Sequence, residues 1–401
     1  AAPSCRRSAP STARTFQVNR WPLANPGALE CIELPGSPME PAAATEIAKH
    51  TLQVFGIIIV AGLACGLLAA RLRMPDVAVL LVAGVVGAKW WDRQLVKPGP
   101  APITRTILFP RGVGLAEIAE KLENDGLVRH RYIFQAAAWT LGHGRALKAG
   151  EYAIPPHASL RDIVSILASG RVVVRRVVIP EGLTVRQALA VLASAEGMEG
   201  TVSADAIKEG ELLPATYNYV WGDERGRMLV RMRSGMADLV ERTWRERASN
   251  LPITTAAEAV TLASIVEKET GKPSERPLIA RVFYNRLKQV MKLQSDPTVA
   301  YGLAPAGDLG RPLTRADLRQ PHPYNTYVID GLPPGPIANP GKAALEAVAK
   351  PADSDALYFV ADGNGGHTFA RTLAEHNRNV AQYRRLMRER GQPLPPSLPE
   401  E

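Results

Sequence analysis

Residues 261–270 read TLASIVEKET, a stretch in which apolar side chains recur at the spacing of one helix face. With about 100° of rotation per residue, Glu269 falls in the middle of the apolar arc, whereas Glu267 falls on the opposite side. The pattern predicts a helix over residues 255–270 that packs against a core and carries one carboxyl group on its buried face.

That carboxyl group is the first candidate for chemistry. A carboxylate among apolar side chains is costly to ionise, so the pKa of Glu269 is expected to rise, which is what a general acid needs near neutral pH. A buried glutamate can equally be one partner of a structural ion pair, and the helix pattern alone leaves both interpretations open.

Polar loops follow this helix in the sequence. Amide and phenol side chains lie among Pro and Gly residues in three segments, at residues 292–298, 323–327 and 331–340. Rigid loops of this kind hold planar donors and acceptors in place without charge, which suits sugar hydroxyls and N-acetyl groups. Ordinary surface loops are the alternative interpretation.

The elements around the helix are mixed. Apolar spacing predicts further helices over residues 226–248 and 276–288, and a strand over residues 357–360 ends in the turn Asp-Gly-Asn-Gly-Gly before His367. Upstream, three segments each combine a short strand or turn with a helix, over residues 107–122, 158–167 and 178–192, and they indicate small α/β units. A β-branched strand over residues 172–179 joins the first part of the chain to the next.

The composition excludes several classes of protein. With 401 residues, 46% of them hydrophobic and 22% charged, the chain is neither disordered nor collagen-like. The net charge of +9 favours acidic partners, but aromatic residues are only 6% and are not interleaved with basic ones, so nucleic acid is not an expected partner. The three cysteines all lie within the first 65 residues and the seven histidines form no HExxH motif, so neither a cofactor nor a catalytic metal is expected.

Two apolar runs near the amino terminus predict a membrane anchor over residues 51–92, with one or two spans. Residues 52–70 come close to the ~20 apolar residues that a spanning helix needs, and residues 77–88 form a shorter run before the paired Trp90 and Trp91. Arginines between the runs favour a cytoplasmic loop, which would place the later chain outside the inner membrane. A buried helical hairpin in a soluble protein is the alternative.

The segments that flank the anchor have simpler expectations. Residues 1–50 are rich in Pro, Ala and Ser without sustained periodicity, so they are expected to be a disordered or mis-assigned tail, with Met39 and Met74 as plausible starts of translation. Residues 93–103 contain the run KPGPAPI and are expected to be a stiff linker between the anchor and the first domain.

Several motifs in order resemble one known family. LASIVEKET is followed by VFYNRL, LQSDPTVAYG, PYNTY, GLPPGPIANPG and LYFVADGNGGHTF, and together they resemble the catalytic domain of the endolytic murein transglycosylases, the MltG or YceG-like family. The resemblance covers about residues 104–380. It includes a small amino-terminal unit that in this family resembles a LysM module, and the runs KAGEY and ASGR match there.

The resemblance implies an α+β fold in a membrane-anchored chain. A small LysM-like α/β subdomain is expected over residues 104–175, a mixed α+β catalytic domain over residues 176–390, and a tail over residues 391–401. The implied reaction cleaves the bond between N-acetylmuramic acid and N-acetylglucosamine in peptidoglycan glycan strands without water, so that 1,6-anhydro ends form. The implied location is the bacterial inner membrane with a periplasmic catalytic domain, where the enzyme would end nascent strands beside wall-elongation synthases.

Carried over by position, the family's catalytic residue is Glu269, the same residue that the helix face selects. It would first protonate the leaving glycosidic oxygen and then act as a base on the muramoyl C6 hydroxyl. The residues expected to bind substrate are Gln294, Asp296, Tyr324, Asn325, Asn339 and His367.

Two other functions stay open at this point. Asp296 is the nearest second carboxylate, and as a nucleophile or base it would make the enzyme a peptidoglycan hydrolase. Alternatively, the chain is a membrane-anchored, non-catalytic module that binds peptidoglycan through the LysM-like unit. Arg315 and Asp317, which follow the LQSDP motif, are expected on a solvated surface.

Overall fold

A computed structural model describes residues 60, 62–64, 66–67, 70–71 and 76–391, and the chain divides into two units, residues 1–89 and 90–401. The tail over residues 1–50, both expected starts of translation at Met39 and Met74, most of the first apolar run and residues 392–401 lie outside the described residues.

Helix α1 spans Asp76–Val96 and contains the second apolar run. Its side chains Leu80, Leu81, Val82 and Val85 are each more than half exposed, so the run forms a helix with an apolar outer surface. Within the described residues, no helix combines the length and the apolar character that crossing a membrane requires.

A β-α-α-β arrangement followed by a helix comes next. Its elements are β1 (Arg105–Phe109), α2 (Leu115–Asn124), α3 (Arg131–Thr140), β2 (Gly150–Ile154) and α4 (Leu160–Ser169). Strands β1 and β2 pair antiparallel, and Phe109, Phe134 and Tyr152 are buried in the core of this part. Ser159 begins α4 through a capping box with Asp162, which satisfies backbone donors at the helix start.

The linker predicted over residues 93–103 starts later in the structure, because residues 93–96 form the last turn of α1. Residues 97–103 contain no helix or strand, as their Pro content predicts. They are nonetheless packed against the β-α-α-β part. The N–H of Gly99 donates to the carbonyl of His157 (3.1 Å), the N–H of His157 donates to the carbonyl of Ala101 (2.7 Å), and Ala101 is buried. The segment predicted as a stiff linker is therefore held by backbone hydrogen bonds at its centre.

The next part has its own small core. Its elements are β3 (Arg175–Val178), α5 (Val185–Ala193), β4 (Thr216–Tyr219) and α6 (Arg225–Arg245). The strand predicted over residues 172–179 is shorter in the structure, because only Arg175–Val178 pairs with β4 in an antiparallel register. Side chains from both strands, α5 and the first half of α6 form the core, among them Val177, Leu192, Tyr217 and Met232.

The remaining part is built around one central helix, α7 (Ala256–Glu269), which Thr255 begins through a capping box with Glu258. The others are α8 (Arg276–Lys288), α9 (Asp296–Leu303), α10 (Arg315–Arg319), α11 (Lys342–Ala349), β5 (Tyr358–Ala361), β6 (His367–Ala370) and α12 (Leu373–Glu389). Strands β5 and β6 form an antiparallel hairpin. Across the described residues the fold is mixed α+β, with helices and three small antiparallel sheets.

The structure changes one premise of the sequence argument. Helix α7 does not have a single buried face, because residues 259–267 are all buried. Side chains of α8, α11 and the end of α6 pack around it, so the helix lies inside the core rather than on its surface. Glu267 is therefore buried as well, and it is buried more completely than Glu269.

Candidate active site

Glu269 is the last residue of α7, and it is half-buried at the wall of a cleft. The helix ends there because the backbone of Thr270 is extended. The carboxyl group therefore stands at the point where the central helix leaves the core, shielded by protein on one side and open to the cleft on the other.

A neutral hydroxyl holds this carboxyl group. Ser295 Oγ donates a hydrogen bond to Glu269 Oε1. Ser295 immediately precedes α9, and its own N–H donates to Thr326 Oγ1 (2.9 Å). The neighbouring N–H of Gln294 donates to the carbonyl of Thr326 (3.1 Å), so two adjacent bonds to one residue fix the position of the hydroxyl.

Burial raises the pKa of Glu269 to about 7, and the nearby charge of Asp296 acts in the same direction. The hydrogen bond from Ser295 and the charge of Arg286 oppose the rise in pKa. At neutral pH both the protonated and the ionised form of Glu269 are therefore well populated, which is the condition for a group that gives and takes a proton.

The second carboxyl group of the cleft belongs to Asp296, the first residue of α9. Burial raises its pKa, while the hydrogen bond from the Tyr327 hydroxyl to Asp296 Oδ1 (2.6 Å) lowers it. The pKa of Tyr327 is raised by burial and by the charge of Asp296, so the phenol stays protonated and remains a donor.

Glu267 has a different environment, although it lies only two residues before Glu269. Arg276 Nη2 donates to Glu267 Oε1 (2.6 Å), and the N–H of Gly341 donates to Glu267 Oε2 (2.9 Å). Arg276 also reaches Glu181 at 3.3 Å. Glu267 is thus one partner of a structural ion pair. Glu269, for which the sequence leaves that role open, instead accepts a hydrogen bond from a hydroxyl beside the cleft.

The cleft has a volume of about 790 Å³. The end of α7 and the start of α9 form one side, and the β5–β6 hairpin and helix α12 form another. Aromatic and amide side chains lie along it together with several arginines. They include Gln294, Tyr327, Tyr358, Arg319, Asn377 and Arg384.

His367 begins β6 and lines the cleft. Its Nδ1 lies 2.8 Å from Glu275 Oε2, and its N–H donates to Glu275 Oε1 (3.1 Å). Burial acts against ionisation of Glu275, but these hydrogen bonds dominate and lower its pKa. The contacts between His367 and Glu275 connect the start of β6 to the helical turn at Pro273–Glu275, close to the end of α7.

Gln294 also lines the cleft, in the left-handed backbone conformation (φ 51°). Its Oε1 accepts a hydrogen bond from Arg286 Nη1 (3.0 Å). Arg286 in turn donates to the carbonyls of Leu293 (3.2 Å) and Leu357 (2.7 Å). Arg286 therefore joins the loop before α9 to the start of the hairpin, and it shapes the floor of the cleft.

The structure brings three of the six expected substrate-binding residues to this cleft, namely Gln294, Asp296 and His367. Tyr324 lines a separate cavity. Asn325 is buried, and its amide donates to three backbone carbonyls, the shortest bond being to Gln320 (2.8 Å). Asn339 is buried as well; its Oδ1 accepts from the N–H of Leu212 and its Nδ2 donates to Leu183.

The expectation of a solvated surface for Asp317 is wrong. Asp317 is buried, and its carboxylate accepts hydrogen bonds from Arg311 (2.7 Å) and from Thr314. Thr314 and Asp317 form the capping box that begins α10. The bond from Arg311 and those from Thr314 lower the pKa of Asp317. Arg315 is exposed as expected and lies at the cleft.

Sequence reasoning missed three residues of the site, Ser295, Arg286 and Tyr327. Each stands inside a motif that was recognised, in LQSDP, VFYNRL and PYNTY respectively. Helix α12 was missed as a wall of the cleft because its polar sequence resembles that of any exposed helix. In the described part of the chain, no group of three or more His, Cys, Asp or Glu side chains is arranged to hold a metal ion.

Comparison with known proteins gives consistent matches. The model of the YceG-like family matches residues 107–382. A protein of Bacillus subtilis (strain 168) named endolytic murein transglycosylase is 30% identical over 329 residues, which cover 74% of this chain and 90% of that protein. A protein of the same name from Streptococcus pneumoniae serotype 2 (strain D39) is 31% identical, and the match covers 69% of this chain and 58% of that protein.

A crystal structure of a YceG-like protein from Listeria monocytogenes is 32% identical and superimposes with a TM-score of 0.44, covering 69% of this chain and 98% of that one. The family model covers more than half of the chain, and the match to the Bacillus protein covers most of both sequences. The chain belongs to the YceG-like family.

Proposed function

We propose that this chain is an endolytic lytic transglycosylase. It cleaves the bond between N-acetylmuramic acid and N-acetylglucosamine in murein glycan strands and leaves 1,6-anhydro ends that terminate nascent strands. The observation that carries the proposal is Glu269, a half-buried carboxyl group on the wall of a cleft, whose pKa burial raises to about 7. Membership of the YceG-like family and the names of the Bacillus and Streptococcus relatives support it.

The proposed reaction uses one carboxyl group twice. Protonated Glu269 gives its proton to the glycosidic oxygen as the bond from that oxygen to C1 of the muramic residue breaks. The carboxylate then takes the proton of the C6 hydroxyl of the same residue, whose oxygen bonds to C1 and closes the anhydro ring. Glu269 ends the cycle protonated and no water is consumed. A pKa near 7 suits both steps because neither form is strongly disfavoured.

The neighbours of Glu269 fit separate parts of this cycle. Ser295 donates to the carboxyl group and stabilises its ionised form between the two proton transfers. Asp296 lines the same cleft, where its charge would offset the positive charge that develops at the sugar ring in an oxocarbenium-like transition state. Tyr327 holds Asp296 in place through its hydroxyl.

The lining of the cleft suits a stem-bearing glycan. Tyr327 offers an aromatic ring and Gln294 and Asn377 offer amides, which are groups that contact sugar rings and N-acetyl substituents. Arg319 and Arg384 add guanidinium groups that match the carboxylates of peptide stems.

Mass spectrometry of the products released from peptidoglycan sacculi tests the proposal. The full chain should release muropeptides that end in 1,6-anhydro-muramic acid, and Glu269→Gln should release none. Glu346→Gln is the matched control, because Glu346 is an exposed carboxyl group outside the cleft. Reducing-end products would instead make the chain a hydrolase and give Asp296 the role of base or nucleophile. Absence of products from the full chain would favour the non-catalytic binding module.

The cellular setting is part of the proposal. The apolar run over residues 52–70 supports an anchor in the inner membrane with a periplasmic catalytic domain, and the exposed apolar surface of α1 is consistent with a lipid-facing segment. The β-α-α-β part supports a LysM-like glycan-binding role. Wall-elongation synthases are proposed partners on the family resemblance. Fractionation of cells that express the full chain, followed by cross-linking, tests the anchor and the partners together.

A further inference from the structure

A second cavity lies apart from the cleft of Glu269. It has a volume of about 780 Å³ and lies beside the amino-terminal half of α7, at Ala257, Val260 and Thr261. Thr261 and Glu269 are separated by eight residues of helix, which corresponds to about 12 Å. The two sites share no lining residue.

Two tyrosines form an aromatic wall of this cavity. Tyr301, near the end of α9, and Tyr324 have ring centroids 4.9 Å apart, with their planes tilted by 59°. Both rings are half-buried, and Pro334 and Pro336 lie close by in the lining. Tyrosine ring faces of this kind pack against the apolar faces of sugar rings.

Glu209 supplies a carboxyl group to the lining of the cavity. Its Oε2 accepts a hydrogen bond from the N–H of Val185 at the start of α5 (2.8 Å), and burial raises its pKa to about 7. Its charge also raises the pKa of Tyr301 and Tyr324, though less than burial does, so the three groups share one poorly solvated space. Among the described residues, no donor reaches the second carboxyl oxygen of Glu209.

One loop connects this cavity to the catalytic cleft. Tyr324 lines the second cavity, whereas Tyr327, three residues later, holds Asp296 in the cleft. Asn325 fixes the loop between them, since its buried amide donates to three carbonyls and its Oδ1 accepts from the N–H of Tyr327 (3.0 Å). Helix α9 provides a second connection, with Asp296 at its start and Tyr301 near its end.

We infer that this cavity is a second carbohydrate-binding site, which holds one N-acetylhexosamine ring against Tyr301 and Tyr324 while Glu209 accepts a hydrogen bond from a ring hydroxyl or amide N–H. The inference rests on the proposed function for the identity of the ligand, a murein glycan. Because the site lies away from Glu269, it binds a strand without cleaving it. Because it is connected to the cleft through one loop and α9, the site binds a segment of the glycan strand that lies away from the bond that is cleaved.

Steady-state kinetics on uncrosslinked glycan strands test the site through its effect on KM. In the full chain, Tyr301→Leu/Tyr324→Leu keeps apolar packing but removes the ring faces, and KM should rise about tenfold while kcat stays within about twofold. Glu209→Gln should also raise KM, although its amide oxygen can still accept the hydrogen bond from the N–H of Val185. The matched control is Tyr383→Leu, on α12 and outside both cavities, which should leave KM unchanged.

A direct binding measurement separates this inference from the proposed reaction. Isothermal titration calorimetry with chitotetraose should detect one binding event fewer in the double variant Glu269→Gln/Tyr301→Leu than in Glu269→Gln alone. This readout does not depend on cleavage. An unchanged KM and unchanged binding in the folded variants would overturn the inference, as would a loss of kcat without a rise in KM. If the parent chain cleaves no murein, the proposed function fails, and the titration alone decides whether the second site binds sugar.

Discussion

The hydroxyl of Ser295 donates a hydrogen bond to the carboxyl group of Glu269, joining the end of the central helix to the start of α9. This bond lowers the pKa of Glu269, whereas burial, the larger effect, raises it to about 7. The charge of Asp296 also raises this pKa, so the Ser295 hydroxyl and the Asp296 charge are two opposed contributions that can be removed one at a time.

Ser295→Ala should move the pH dependence of cleavage to higher pH. Without the hydroxyl, the ionised form of Glu269 loses a donor, so its pKa rises further. Because the first step needs protonated Glu269, kcat/KM falls as pH rises through this pKa, and that alkaline limb should lie at higher pH in the variant. A pH profile of kcat/KM measures the shift. An alkaline limb that stays in place would show that Glu269 is not the titrating acid.

Asp296→Asn should move the same limb in the opposite direction. The charge of Asp296 raises the pKa of Glu269, so a neutral amide at this position lowers that pKa and brings the alkaline limb to lower pH. Activity should fall but persist, since a transglycosylase needs no second carboxylate as nucleophile. Complete loss of cleavage together with reducing-end products from the parent chain would identify a hydrolase.

Glu269→Gln should stabilise the folded chain at high pH while it abolishes cleavage. The pKa of Glu269 in the folded state, about 7, lies above its ordinary value of 4.5, so ionisation costs stability. The cost is absent below pH 4.5, grows between pH 4.5 and 7 and is complete above pH 7. The variant should therefore gain on the order of 2–3 kcal/mol in the free energy of unfolding at pH 8, and almost nothing at pH 4.

Urea unfolding of the parent chain and the variant at both pH values measures this difference, and other titrating groups cancel in the comparison. Glu346→Gln is again the control, because an exposed carboxyl group has little effect on stability at either pH. A variant that is less stable than the parent at pH 8 would contradict the prediction.

The sequence predicts individual helices and turns best, because these depend on residues that are close in the chain. The helix predicted over residues 276–288 coincides with α8, and the helix predicted over residues 255–270 includes α7 with its cap. The strand and the turn that precede His367 are also predicted, because Asn and Gly mark the turn of this hairpin. Glu269 was selected from helix periodicity, although α7 proved to be buried on all sides.

The partners of Glu269 could not be predicted from periodicity. Ser295 lies 26 residues away in sequence, and the loop that carries Tyr327 meets α9 across a separation of 31 residues. Such contacts depend on how loops return to the core, which local spacing does not encode. Asn325 and Asn339 show the same limit, since a buried amide that satisfies backbone groups and an amide that binds sugar look alike in sequence.

The ion pair between Arg276 and Glu267 gives a last prediction, about stability. Both side chains are buried, and Arg276 also contacts Glu181, so the pair connects α8, α7 and the turn before α5. Arg276→Met leaves the Glu267 charge buried without a cation, which should cost about 3–5 kcal/mol in the free energy of unfolding at pH 8. Lowering the pH should recover part of this loss, because Glu267 can then take up a proton.

Adding Glu267→Gln to Arg276→Met separates the effect of the missing charge partner on stability from the effect of lost packing. The amide is neutral and can still accept from the N–H of Gly341, so the double variant should regain more than half of the lost stability at pH 8. Its stability should also show a weaker dependence on pH than that of the single variant. Urea unfolding of the three proteins measures these differences. Equal losses in the single and double variants would mean that Arg276 stabilises the fold through packing and its contact with Glu181, and not by neutralising Glu267.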